Sequence, residues 1–294
     1  MIKKILVTGH SGFLGAYIKD YLESVGYEII KLGRSKDSDI VCDISKDIFS
    51  AANIEAVIHV AGKAHSIPKT EKEKEEFFKV NTQGSKNVLQ SIATTNIKSF
   101  IFISTVAVYG KETGQLIDEN EGLLGNTPYA LSKIQAEKLV VEFGKTNNCK
   151  VVILRLPLIT GQNPVGNLQS MINAIQKGYY FRIGVGEAKR SIISAVDVAK
   201  VIPELLNIHG IYNYTDCTHP TIAQIDTVIA KKYNKKIKKL PKSLLKWIAK
   251  VGDSIPFFPF NSSKFEKLTN TLTFSNKKIL QQIKFKPING LTDI

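Results

Sequence analysis

Cysteine is scarce in this chain: three residues in 294, Cys42, Cys149 and Cys217, odd in number and far apart. That spacing excludes a disulfide framework and a cysteine-based zinc cluster, and it leaves the thiols as reduced, structural groups. Long apolar runs are missing as well. Lys3 and Lys4 precede an apolar stretch that Thr8 and Gly9 end after three residues, so no signal-peptide core is expected, and no run approaches membrane-spanning length. A cytoplasmic protein is the expectation. No internal repeat and no low-complexity linker is visible. Acid is absent where base is densest: nine lysines fall between residues 231 and 250 with no Asp or Glu among them. Much of the formal net charge of +14 is therefore local to one late segment, and no recognition motif accompanies it, which argues against nucleic acid as a partner. The 43% hydrophobic content suffices for a sizeable core, and the length suits about two domains.

The stretch 5–15, ILVTGHSGFLG, organises what is present. A short apolar strand ends at Thr8, glycines follow at 9, 12 and 15, and an apolar-periodic helix runs on through Phe13, Leu14, Ile18 and Leu22. Such a loop gathers unpaired backbone N–H groups at the positive end of a helix, where a pyrophosphate binds. The strand at 27–32 then ends at Gly33, Arg34 and Ser35. An acid at that position accepts from the free ribose hydroxyl of NAD, whereas a guanidinium pairs with the 2′-phosphate of NADP, so Arg34 favours NADP(H), with NAD(H) as the alternative. A third strand at 40–44 brings Asp43 to where a carboxylate accepts from the adenine amino group.

The strand at 56–61 is nearly all apolar, as one covered on both faces should be, and it delivers Ala61, Gly62 and Lys63 to the edge where ligands bind. His59 within it reads as a satisfied core histidine, since no second ligand type sits at metal spacing; no metal site is expected. A charge run at 69–79 continues as a long helix to 96, in which Asn81 is a poor helix former and so reads as a hydrogen-bonding residue. The strand at 99–104 presents two hydroxyls, Ser104 and Thr105, at its end. Pro128 opens a helix in which Tyr129 and Lys133, four apart, share a face. One positive charge about 5 Å from a phenol, at an effective dielectric near 20, is worth roughly 3 kcal/mol, or about two pKa units. Lys133 is thus expected to lower the Tyr129 pKa and fit it for acid–base work on a substrate hydroxyl or ketone, with Thr105 on the same oxygen.

After a sixth strand at 150–156 the regular alternation ends: a loop at 161–166, a helix at 167–177 and a turn at 184–189 mark a second region. A strand at 191–196 is expected to return to the main sheet, with a helix at 196–208 upon it. The expected fold is α/β, a Rossmann doubly wound parallel sheet with a smaller C-terminal α/β substrate domain. Residues 1–160 and 188–218 form the dinucleotide-binding part, and 161–187 and 219–294 the interleaved substrate part.

TGHSGFLG, HVAGKAH, the Asn81 helix, STVAVYG, PYALSK and RSIISAVDVA, in this order and spacing, resemble the extended short-chain dehydrogenase/reductases of the nucleotide-sugar epimerase/dehydratase superfamily, over about residues 3–215. The resemblance implies a homodimer formed through two long helices and a nucleoside-diphosphate sugar as partner. It implies Thr105, Tyr129 and Lys133 as catalytic residues. Cofactor contacts carried with it are Gly9, Ser11, Gly12, Phe13, Leu14 and Gly15 in the first loop, Arg34 and Ser35, and Asp43 and Ile44. Ala61, Gly62, Lys63, Asn81, Ser104 and Leu156 complete that set with Tyr129 and Lys133. Substrate contacts are His65, Thr105, Asn167, Leu168 and Arg190, the last suited to phosphate by its fork of donors. Two departures sharpen the reading. Dehydratases of the superfamily carry an Asp-Glu pair directly after the threonine, where Val106-Ala107 stand here, and 4-epimerases usually keep an acid where this chain has Arg34. The reading is NADPH-dependent reduction at carbon 4 of a UDP-4-keto sugar for surface polysaccharides, against an NAD-dependent UDP-sugar 4-epimerase or, in another class, a non-catalytic NADP-sensing protein.

The late segment matches less well. At 242–251, KSLLKWIAKV, apolar residues recur at helical spacing, and aromatics follow to Phe260. A helix closing the substrate region is preferred there over one that rests on an anionic membrane through 242–260.

Overall fold

The computed structural model describes residues 2–255 and 260–294. Its first half alternates strand and helix. β1 (Lys4–Thr8) leads through the glycine loop into α1 (Phe13–Ser24), and β2 (Glu28–Gly33), β3 (Ile40–Val41) and β4 (Ala56–His59) follow. The long helix expected at 69–96 forms as α2 (Glu71–Phe77) and α3 (Gly84–Ile92), joined by a π-helical segment over Phe78–Gln83. Thr70 starts it by accepting from the backbone N–H of Glu73, with Glu71 and Glu73 set against the dipole. Next come β5 (Ser99–Thr105), β6 (Gly114–Ile117) and α4 (Pro128–Thr146). Thr127 caps α4 by accepting from Ala130, and Pro128 occupies its first turn. β7 (Lys150–Leu156) and β8 (Leu158–Thr160) lie either side of Pro157.

The second half is less regular: α5 (Gly166–Gln176), β9 (Phe181–Ile183), β10 (Ile192–Ser194), α6 (Ala195–Leu205), β11 (Gly210–Asn213), α7 (Ile222–Lys232), β12 (Lys238–Leu240), α8 (Lys242–Asp253), α9 (Ser262–Thr269), β13 (Leu272–Phe274) and α10 (Lys277–Leu280).

Seven strands form one parallel sheet in the order β11-β7-β5-β4-β1-β2-β3. The strand order reverses between β1 and β4, and the crevice at their C-terminal ends is where ligands bind in such sheets. Alternating side chains of each strand feed two cores. Ile5, Val7, Ile58, Ile101 and Leu154 meet Ile18 and Leu22 of α1 and Val198 and Ile202 of α6 on one face. Leu6, Val57, Phe100, Phe102 and Ile153 meet Val88 and Ile92 of α3 and Ala136 and Val140 of α4 on the other. Each fully buried Val, Leu or Ile contributes about 1.5–3 kcal/mol, and that double burial holds the crevice rigid. A third cluster outside the sheet joins Leu168, Ile172 and Ile175 of α5 to Ile225 and Ile229 of α7.

The strand expected at 191–196 does not return to the main sheet. Ile192–Ser194 pairs instead with β8, because the chain after Pro157 leaves the sheet and carries its own partner with it. The edge of the sheet is filled by β11, four residues that begin at Gly210, itself in a left-handed backbone. So short a strand carries no readable alternation. Of the aromatics expected near the late helix, those at 256–259 lie outside the described residues.

Candidate active site

The glycine loop is built by exclusion. Gly9 adopts φ +70°, and a Cβ there would lie 2.7 Å from the backbone nitrogen of Ala61. A Cβ on Gly15 would lie 2.0 Å from the Gly9 carbonyl oxygen, so the first turn of α1 seats directly on the loop. α1 has neither a side-chain cap nor an acid in its first turn, which leaves its leading N–H groups directed out of the helix end. Ser11 and Gly12 are exposed there, and Phe13 stands edge-on to Tyr17, whose hydroxyl accepts from Gln162. Leu14 is buried.

The second side of the loop rests on a residue that sequence reasoning missed. His10 is buried, and its Nε2 lies 2.9 Å from the Ser38 hydroxyl, which ties the glycine loop to the turn after β2. That turn holds Arg34 and Ser35 exposed. Arg34 and Asp43 line one open cavity of about 610 Å³. The Asp43 Oδ1 accepts from the backbone and hydroxyl of Ser45, chiefly the hydroxyl lowering its pKa. Ile44 is core: its side chain packs on Gly84, and its carbonyl accepts from Asn87.

Thr8 and Asn81 fix the next loop. The Thr8 hydroxyl accepts from the N–H groups of Val60 and Ala61 and lies 2.6 Å from His59 Nδ1. The other ring nitrogen of His59 meets Ser85 at 3.0 Å, and full burial pushes the imidazole pKa down to about 3. His59 is therefore a neutral core residue. Asn81, 1% exposed on the π-helical segment, accepts from Lys63 N at 2.7 Å and donates to Lys63 O and to the Ser132 hydroxyl. The extra residue of the π turn puts an amide, both of whose ends are used, between the 61–63 loop and α4. Lys63 pairs with Glu76 and lies over the Phe77 ring.

Thr105 and Tyr129 face each other. The Thr105 hydroxyl accepts from Ala107 N at 3.1 Å and lies near enough to the Tyr129 phenol to favour its ionised form. The expected acidification is not seen. Burial raises the phenol pKa, with the Thr105 hydroxyl opposing it, while the Lys133 ammonium donates to the Ile103 carbonyl at 2.6 Å and sits 4.1 Å over the Phe102 ring. Burial, partly offset by Glu137, brings Lys133 down to about 7. In a low dielectric each charge is penalised separately, and a lysine satisfied by a strand carbonyl lends little to a phenol one turn away.

Ser104 faces elsewhere. Its hydroxyl donates to Glu137 at 2.5 Å, part of a buried network absent from the sequence reading: Arg155 donates to Glu137 through Nε and Nη2 and to the Tyr109 hydroxyl, which donates to Asn213. The signal was available, since Arg155 interrupts an otherwise apolar strand. Leu156 lies in the core beside it.

The proposed substrate residues are less closely grouped. His65, with φ +62°, packs on Gly166 at the start of α5, where a Cβ would overlap its ring. Asn167 is exposed in that first turn, and Leu168 is buried in the third cluster. Arg190 donates to the carbonyls of Lys189, Lys267 and Asn270, so its guanidinium closes the C-terminus of α9. Among the described residues no group of three or more His, Cys, Asp or Glu is placed to hold a metal.

The family model described as NAD dependent epimerase/dehydratase family matches residues 5–213. A UDP-glucose 4-epimerase of Vibrio cholerae is 29% identical over 69% of this chain and 66% of that protein. A GDP-6-deoxy-D-mannose reductase of Pseudomonas aeruginosa is 28% identical over 53% of this chain and 52% of that protein. The chain thus spans between about half and two thirds of these curated relatives. The structure of RMD from Pseudomonas aeruginosa complexed with NADPH shares the fold, with a TM-score of 0.73 at 20% identity over 99% of this chain and 96% of that one. With well over half of its length inside the family match, the chain belongs to the NAD-dependent epimerase/dehydratase family.

Proposed function

We propose that this chain is an NADPH-dependent oxidoreductase that reduces carbon 4 of a nucleoside-diphosphate 4-keto hexose, a UDP-sugar in the first instance. The observation that carries the reading is the Tyr129 phenol, set beside Thr105 and held by burial above its ordinary pKa. A phenol that stays protonated at neutral pH suits a proton donor, which reduction of a ketone needs; an epimerase must begin with the same group as a base. Val106 and Ala107, beside that pair, supply neither acid nor base for loss of water.

The glycine cradle fits a dinucleotide: a loop that excludes Cβ atoms at 9 and 15, set before an uncapped helix end. Gly9, Ser11, Gly12 and Phe13 would hold its pyrophosphate, and Arg34 its adenosine 2′-phosphate. The nicotinamide, when bound, supplies the hydride. Tyr129 delivers the proton to the ketone oxygen, Thr105 orients that oxygen, and the Asn81 clamp keeps the 61–63 loop against α4. Residues 161–187 and 219–294 are the substrate-facing part, with Asn167 on the sugar nucleotide and a homodimer as the assembly. The reductase name of one relative and the NADPH named in one neighbour's structure support this direction.

The epimerase reading draws support from the Vibrio cholerae relative. Purified protein assayed with UDP-4-keto sugars and UDP-hexoses, with NADPH and NADH separately, separates the two. A reductase consumes NADPH only with the keto sugar; an epimerase interconverts UDP-hexoses with no cofactor added.

A further inference from the structure

Helix α8 does not close a core with its whole apolar face. Leu244, Trp247 and Val251 recur at spacings of three and four, so they lie along one side of the helix, Ile255 follows just past its end, and the four are 47, 65, 39 and 46% exposed. Only Ala249 and Gly252 of the helix are buried. Single exposed apolar residues are ordinary, but a continuous helical stripe of them with a tryptophan at its middle is not scatter.

Charge identifies the occupant. The nine lysines from 231 to 250 run into and along this helix; Lys242 pairs with Glu187 and Lys232 donates to the Ile294 oxygen, and no carboxylate side chain among the described residues pairs with the other seven. A second copy of the chain seated on the stripe would bring two such segments together, and their repulsion opposes that contact. An anionic bilayer surface answers both features: acyl boundary for the stripe, negative headgroups for the lysines. No helix among the described residues is long and apolar enough to cross a membrane, and α8 at twelve residues is only about 18 Å long, a length that lies in the interface.

We propose that α8 docks the protein on anionic phospholipid membrane, with Leu244, Trp247, Val251 and Ile255 in the headgroup–acyl boundary and the lysines of 231–250 on the headgroups. α8 packs on α9, whose last carbonyls hold Arg190. Docking therefore brings the Arg190 side of the molecule to the bilayer.

Trp247 is the single tryptophan of the chain, so its emission reports on this face directly. Full-length protein is titrated with vesicles of phosphatidylcholine containing about 30 mol% phosphatidylglycerol, and with phosphatidylcholine alone, in about 0.1 M salt. The expected result is a blue shift of Trp247 emission with the anionic vesicles only, reversed by salt. A Leu244→Glu/Val251→Glu variant, changed only at exposed positions, should keep its circular dichroism and lose at least about tenfold in partitioning. Unchanged emission with anionic vesicles overturns the proposal, as does equal partitioning by the folded variant, which would assign binding to lysines alone. A blue shift that grows with protein concentration without vesicles also overturns it, by assigning the face to a second copy. If the variant fails to fold, quenching of wild-type Trp247 by brominated acyl chains is the deciding measurement: quenching supports docking and its absence refutes it.

Discussion

The Lys133 ammonium and the Ile103 carbonyl are joined by a 2.6 Å hydrogen bond, so the lysine one turn from Tyr129 is anchored to the strand beneath it. Tyr129 is left to its own burial and to Thr105, and its phenol keeps its proton. Removing the Thr105 hydroxyl takes away a group that opposes that burial and loosens the phenol. Thr105→Val is expected to lower kcat about 10²-fold with little change in nucleotide affinity, measured by steady-state kinetics beside a direct NADPH titration.

Gly15 tolerates no side chain, because a Cβ would stand 2.0 Å from Gly9 O. Gly15→Ala must push α1 off the loop. Thermal unfolding should show a loss of about 1–3 kcal/mol, and calorimetric dinucleotide binding should weaken at least tenfold. Gly26→Ala is a poor control because its own φ is +91°; Gly122, with ordinary space around it, is the better one.

Arg34 is exposed at the mouth of the Asp43 cavity. If it pairs with the adenosine phosphate, Arg34→Ala raises KM for NADPH about 10–100-fold and leaves NADH unaffected. Equal effects on both cofactors would remove Arg34 from the cofactor's account.

Stability should climb with pH through two windows. His59 is neutral when folded down to about pH 3, while the unfolded imidazole takes its proton near 6.5, so folding loses stability as pH falls below that value. Lys133 loses its proton near 7 when folded and keeps it to about 10.5 unfolded, so stability rises between those values until the buried tyrosines oppose it. Denaturant midpoints from pH 4 to about 9 check both slopes, and Lys133→Met should flatten the upper one.

The sheet was readable because five of its strands are apolar runs ended by glycine, proline or a hydroxyl, and the glycine loop because three positions had to lack a side chain. The seventh strand was not, since the four residues from Gly210 to Asn213 take their conformation from pairing with β7 and not from their own pattern. The buried Glu137–Arg155–Tyr109–Asn213 network was hidden for a similar reason: its members are up to 104 residues apart, and only the folded chain brings them together. The Tyr129–Lys133 spacing was legible, but spacing fixes a shared helix face and not the direction of an ammonium, which Ile103 decides. The late helix read as a closing element because periodicity reveals an apolar face without revealing what covers it.

The most direct measurement is NADPH oxidation with a UDP-4-keto sugar by wild type and Tyr129→Phe, alongside NADPH binding to both. The account expects turnover by wild type, a loss of at least about 10³-fold in the variant and equal binding. Retained turnover in Tyr129→Phe, or a wild type that interconverts UDP-hexoses and leaves NADPH untouched, would contradict it.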